Sequence, residues 1–135
     1  MPTIPVNDIE ICYESFGDAD APPLLLVMGL GAQMTLWSPG FVTELLDRGF
    51  RVIRFDNRDA GGSTRLDGLP VPNVLGAIWR ALRRRPVSAP YTLDDMAADT
   101  IGMLDALGID RVHVVGASMG GMIGQMIAAK YPARV

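Results

Sequence analysis

The stretch Val114-Val115-Gly116-Ala117-Ser118-Met119-Gly120-Gly121-Met122 constrains this 135-residue chain more than any other part of it. A β-branched apolar run breaks at a glycine, and a helix-forming sequence begins almost at once. A strand that turns into a helix so quickly needs residues small enough for the two backbones to touch. Gly116 and Gly120 flank that turn. Between them sits Ser118, in the pattern G-x-S-x-G. A serine hydroxyl is a weak nucleophile unless it is held clear of competing partners, beside a base and near N–H donors. A tight turn gives that presentation, and the helix start adds N–H groups and partial positive charge where an oxyanion forms. The plainer reading is a glycine-rich turn with an incidental serine.

The rest of the chain surrounds this turn with alternating strand and helix signals, as a βαβ sheet does. Thr3 to Val6 and Ile9 to Glu14 read as a hairpin through Asn7-Asp8, and the alternation in Ile9 to Glu14 reads as a half-exposed edge strand. Leu24 to Met28 is apolar on both faces, as a buried parallel strand must be. A helix over Gly40 to Arg48 closes at Gly49, and Arg51 to Phe55 makes the next strand. Residues 56–90 read as irregular, with a short basic helix over Leu75 to Arg85. Thr92 is a good N-cap with Asp95 three residues on, and Gly108 stops that helix. Its apolar face carries Met96, Thr100, Met103, Leu104 and Leu107. Arg111 to Val115 is the last strand, and the final helix runs to about Lys130 before Tyr131-Pro132 ends it. The expected fold is a three-layer α/β/α sandwich with a mostly parallel sheet and an N-terminal antiparallel hairpin.

A second glycine turn, Gly29-Leu30-Gly31-Ala32, follows the Leu24 to Met28 strand. Ligands of open parallel sheets sit at that end of the strands. Acyl transfer needs one N–H donor just after the nucleophile and another from the loop after the third strand. Met119 and Leu30 occupy those positions.

With Asp56-Asn57-Arg58-Asp59-Ala60-Gly61-Gly62-Ser63 after the fourth strand, the order of motifs resembles the α/β-hydrolase superfamily over all 135 residues. The likeness is strongest to bacterial esterases of the aclacinomycin methylesterase type. The resemblance implies Ser118 as nucleophile and the backbone N–H groups of Leu30 and Met119 as the oxyanion hole. It also implies hydrolysis of a small carboxylic ester, a methyl ester among them, without a cofactor. Two departures stand out. Met28-Gly29 replaces the His-Gly of many relatives, which makes the pocket more apolar, and Asp59 replaces the usual glycine of the D-x-R-G pattern.

The family order is Ser, then Asp or Glu, then His. No Asp, Glu or His occurs from Met119 to Val135. The single histidine, His113, lies on the strand about 16 Å before Ser118 at 3.3 Å per residue, beyond hydrogen-bond reach. Asp56, Asp94 and Asp95 cannot replace a histidine as a proton shuttle at neutral pH. The expectation is one domain's N-terminal half, residues 1–135, cut after the helix that follows Ser118 and nearly inert alone. Its last strand would then leave an apolar edge open to self-association.

Composition narrows the partners. Twelve basic against fifteen acidic residues leave a net charge of −3, which argues against a nucleic-acid partner. The run Leu24 to Leu30 is too short to span a bilayer, and Met1 to Glu14 lacks the pattern of a signal peptide. One histidine and no HExxH or CxxC argue against a metal site. The lone Cys12 fits a reducing compartment, so the expectation is a soluble cytoplasmic protein. Cys12 itself reads as a small packed hydrophobe.

Met28 and Trp37 are candidate substrate contacts. Met28 is open between pocket and core, and Trp37 between the pocket mouth and a staple for the next helix. Met122 and Met126 read as core, and the arginines of Trp79 to Arg85 as a solvated face. Two rival functions remain. One is a non-catalytic hydrolase remnant that binds or oligomerises. The other is a nucleotide-binding domain using Gly29-x-Gly31 with Asp56 on the ribose, though Met34 stands where its third glycine belongs.

Overall fold

The computed structural model describes residues 1–68, 76, 79–80, 82–86 and 89–135. Of the basic helix expected over residues 75–85, residues 75, 77–78 and 81 lie outside them, while 76, 79–80 and 82 are helical.

Alternating apolar residues build a five-stranded mixed sheet. Its strands are β1 (Thr3–Val6), β2 (Ile9–Phe16), β3 (Pro23–Val27), β4 (Arg51–Phe55) and β5 (His113–Gly116), in the order β1-β2-β4-β3-β5. β3 runs parallel to β4 and β5, while β2 is antiparallel to β1 and β4. Asn7 makes the β1–β2 turn in the left-handed region, at φ 52°.

β2 is not the edge strand its alternation suggests. Residues 9–12 pair with β1, and residues 13–16 pair with β4. Up to Cys12 the side facing β4 is taken by the loop after β4: Thr64 N donates to Glu10 O, and Cys12 N donates to Ser63 Oγ. Glu10 is exposed because it faces solvent on one side of the sheet, not because the strand lies outermost.

Side-chain period 2 divides the core in two. Leu25, Val27, Ile53 and Phe55 face one layer, formed by α2 (Leu93–Ala106) and α3 (Met119–Lys130). Leu24, Leu26 and Val52 face the other, where α1 (Pro39–Asp47) contributes Val42. The sandwich therefore has its three expected layers. α1 starts on Ser38, whose hydroxyl accepts from Phe41 N, and α2 starts on a capping box of Thr92 and Asp95.

Among the described residues β5 pairs with β3 alone. A groove of about 480 Å³ lies along its outer edge, lined by Val114 and Gly116 of the strand and by Gly121, Gly124 and Gln125 of α3. Behind α3, the turn Pro132–Arg134 folds back toward the start of β5. Arg134 Nε and Nη2 donate to the carbonyls of Asp110 and Ile109, at 2.6 and 2.8 Å, and Arg111 Nε donates to Val135 O.

Candidate active site

The parallel register sets β3, β4 and β5 side by side, so their C-terminal ends share one edge of the sheet. The three loops that leave this edge meet there.

The first carries Ser118, between β5 and α3. Its backbone sits at φ 54° and ψ −123°, a conformation that costs a non-glycine residue about 1–3 kcal/mol. Ala117 N donates to Val27 O at 3.0 Å and pins the turn to the end of β3. Two of the glycines around it, Gly116 and Gly120, have no room for side chains. A Cβ on Gly116 would meet Gly120 O at 2.3 Å, and one on Gly120 would meet Val27 O at 2.1 Å.

Ser118 is the N-cap of α3, yet its hydroxyl makes no capping hydrogen bond, and the residue is exposed. An N-cap serine ordinarily spends its oxygen on the N–H groups of the first turn. Here Gly121 and Met122 N instead donate to the Ser118 carbonyl, at 2.9 and 3.4 Å. The hydroxyl is left for other partners.

The second loop, 28–33, runs past it. Gly29 is buried against the serine: a Cβ there would lie 3.2 Å from Ser118 Cβ and 3.7 Å from its Oγ. Leu30 is next, 73% exposed, and Gly31 bends the loop at φ 65°. Among the described residues no backbone hydrogen bond engages the N–H of Leu30 or of Met119. Both candidate donors are free.

The third loop, after β4, buttresses the second. Asp56, Asn57 and Ser63 are all buried. Asp56 Oδ1 accepts from Met34 N at 2.6 Å and Oδ2 from Gly62 N at 2.9 Å, while Asn57 Nδ2 donates to Met28 O at 2.9 Å.

A family model described as the alpha/beta hydrolase fold matches residues 22–135. The chain belongs to this hydrolase family. It is 36% identical over 137 aligned positions to a rhodomycin D methylesterase of Streptomyces peucetius, covering all of this chain and 40% of that protein. It is also 31% identical to 3-oxoadipate enol-lactonase 2 of Acinetobacter baylyi, covering 98% of this chain and 41% of that one. Among solved structures, the enol-lactonase from Burkholderia xenovorans superposes with a TM-score of 0.75 at 29% identity, over 99% of this chain and 44% of its own. The chain thus spans about two fifths of the length of the relatives it matches.

Other residues weighed from the hydrolase sequence fall as follows. Met28 is buried at 8% exposure, and Met119 is half-buried against the α2–α3 core layer. Trp37 stacks on Phe41 of α1, ring centroids 5.4 Å apart, and packs on the α1 layer. Its indole N–H is enclosed without a partner among the described residues. Met126 joins the core, whereas Met122, expected there too, is 56% exposed because it points off the first turn of α3. His113 is exposed on β5, edge-on to Phe50. The arginines at 80 and 83–85 are exposed, with Arg83 over the Trp79 ring.

Cys12 is buried, and burial together with the Asp56 charge raises its thiol above the usual range. It is a packed residue, not a reactive one. The carboxylate of Asp56 is 3% exposed with both oxygens engaged by backbone N–H groups, which leaves a ribose little to bind.

Sequence reasoning passed over two contacts. One is Asn57 on Met28 O. The other is buried Asp99, which Arg58 grips with both Nε and Nη2. The signal for Asp99 was present, since it stands three residues after Met96 on the helix face given to the core.

Proposed function

We propose that the complete protein is a serine hydrolase that cleaves small carboxylic esters through an acyl-enzyme on Ser118. The observation that carries this reading is the N-cap serine with an uncommitted, exposed hydroxyl on a positive-φ backbone, beside two free N–H groups. The Ser118 oxygen attacks the ester carbonyl and its proton passes to a histidine. The carbonyl oxygen takes up negative charge facing the Leu30 and Met119 N–H groups, the alcohol leaves with a proton, and water then releases the acid. This reading requires a histidine and an acid from parts of the complete protein other than residues 119–135, which hold neither. The rhodomycin D methylesterase and the enol-lactonase both open a carboxylic ester or lactone, which supports a small-molecule ester as substrate. No cofactor enters this chemistry. Cytoplasmic residence accords with the single buried thiol of Cys12.

The test is to treat the complete protein with a fluorophosphonate and map the label by mass spectrometry. Label on the peptide holding Ser118, lost together with ester turnover in Ser118→Ala, is expected. Turnover that survives the substitution refutes the reading.

Among the described residues the outer edge of β5 is unpaired, which favours a second reading of these residues by themselves, as a module that pairs with another strand. Sedimentation of the 135-residue chain at two concentrations separates an associating species from a monomer.

A further inference from the structure

The loop 28–33 has little of its own to hold it. Leu30 is exposed, a Cβ at Gly31 would meet open space, and among the described residues the backbone bond within the loop is Ala32 N to Gly29 O at 3.2 Å. A donor on such a loop loses its value if it wanders, because an oxyanion is stabilised only by N–H groups already fixed where its charge forms. Two consecutive residues from the neighbouring strand end supply the fixing. Asn57 Nδ2 holds Met28 O at one end of the loop, and Asp56 Oδ1 holds Met34 N at the other.

The clamp is itself rigid. Asp56 and Asn57 are 3% and 4% exposed, and the second carboxylate oxygen of Asp56 is taken by Gly62 N. Ser63 Oγ donates to Asp56 O and accepts from Cys12 N, and Arg58 is locked onto Asp99 of α2. Residues 56 and 57 thereby reach the two ends of one loop, and residue 58 reaches α2.

We infer that Asp56 and Asn57 are positioning residues for the Leu30 N–H. They grip the two ends of its loop and hold it against Ser118 without touching substrate. This rests on the reading of Leu30 as an oxyanion donor. It assigns the buried polar pair after β4 a role in transition-state binding beyond stability.

The test uses the complete protein with 4-nitrophenyl acetate as probe, and with active sites counted by end-point fluorophosphonate titration. Counting sites removes any effect of unfolded protein from kcat. Asn57→Ala and Asp56→Asn release opposite ends of the loop, so either variant carries the test if the other fails to fold. The expected result is a fall in kcat per titrated site of about 10- to 100-fold with KM within about twofold. Affinity for a trifluoromethyl ketone, which forms an oxyanion on the serine, falls by the same factor. An unchanged kcat per site, with only the titratable fraction or Tm reduced, overturns the inference alone. Turnover retained in Ser118→Ala overturns the nucleophile reading and this inference with it.

Discussion

Arg58 meets Asp99 along the edge of its guanidinium, Nε and Nη2 donating to the two carboxylate oxygens at 2.5 and 2.7 Å. Asp99 is 2% exposed, and Asn7 Nδ2 adds a third bond to it at 2.9 Å. The pair joins the loop after β4 to α2 and to the first hairpin. Removing one partner strands the other charge in a dry place, so Asp99→Ala is expected to cost about 3–5 kcal/mol. Replacing both residues with apolar ones of similar size should restore much of that. Urea titrations of the three proteins decide it, and a double variant as weak as the single one would refute the account. The carboxylate raises the guanidinium still further above its ordinary range. A raised native value means the Arg58 contribution is lost only as pH rises through that value, so deprotonation of Arg58 does not weaken the pair near neutral pH.

Two adjacent glycines at the start of α3 should respond oppositely to alanine. At Gly120 the new Cβ would sit 2.1 Å from Val27 O, a backbone atom of the central sheet that cannot yield alone. At Gly121 the nearest atom is Gly116 O at 3.5 Å, an ordinary contact. Gly120→Ala is expected to destabilise by about 3 kcal/mol, at the upper end for overpacking. Gly121→Ala should be neutral or stabilising by up to about 1 kcal/mol, the helix-propensity difference. Thermal denaturation of both variants checks this, and equal losses would contradict it.

The cap of α2 should titrate. Thr92 N donates to Asp95 Oδ2 at 2.7 Å and the Thr92 hydroxyl does so at 2.8 Å; these bonds hold the Asp95 carboxyl below its ordinary value of 3.8. A depressed native value means stability present above the ordinary pKa and lost as pH falls through the native one. The stability difference between the wild type and Asp95→Asn should therefore be full at about pH 6 and shrink below about pH 4. A difference that stays constant over that range would rule out the linkage.

Much of this architecture is legible in the residues because it rests on local rules. The Thr92 and Asp95 box, the glycine after α1 and the two-faced apolar run of β3 each follow from capping, backbone freedom or burial. The turn at Ser118 reads from its glycines for the same reason. What escapes is non-local. β2 looks like an edge strand because its covering partner, Ser63 and Thr64, lies about fifty residues away along the chain. Asn57 carries no periodic signal, and only the parallel register of β3 and β4 brings it to Met28 O. The departure at Asp59 becomes intelligible in three dimensions. Its backbone is left-handed at φ 64°, where glycine is natural and aspartate is among the better tolerated alternatives. Its carboxylate then takes Leu66 N and the Tyr91 hydroxyl at 3.2 and 3.4 Å.

The fold-back of Arg134 onto Ile109 and Asp110 bears on how the chain emerges from a ribosome. Synthesis delivers β5 and all of α3 before the side chain that fastens their far end to the α2–β5 connection. Until residue 134 clears the exit tunnel, α3 is held by the Ser118 turn, by its packing on α2 and the sheet, and by the exposed Lys130–Asp94 ion pair. The last turn of this segment thus acts as a clasp. A nascent chain paused a few residues earlier would carry the same strand and helix in a form easier to pull apart.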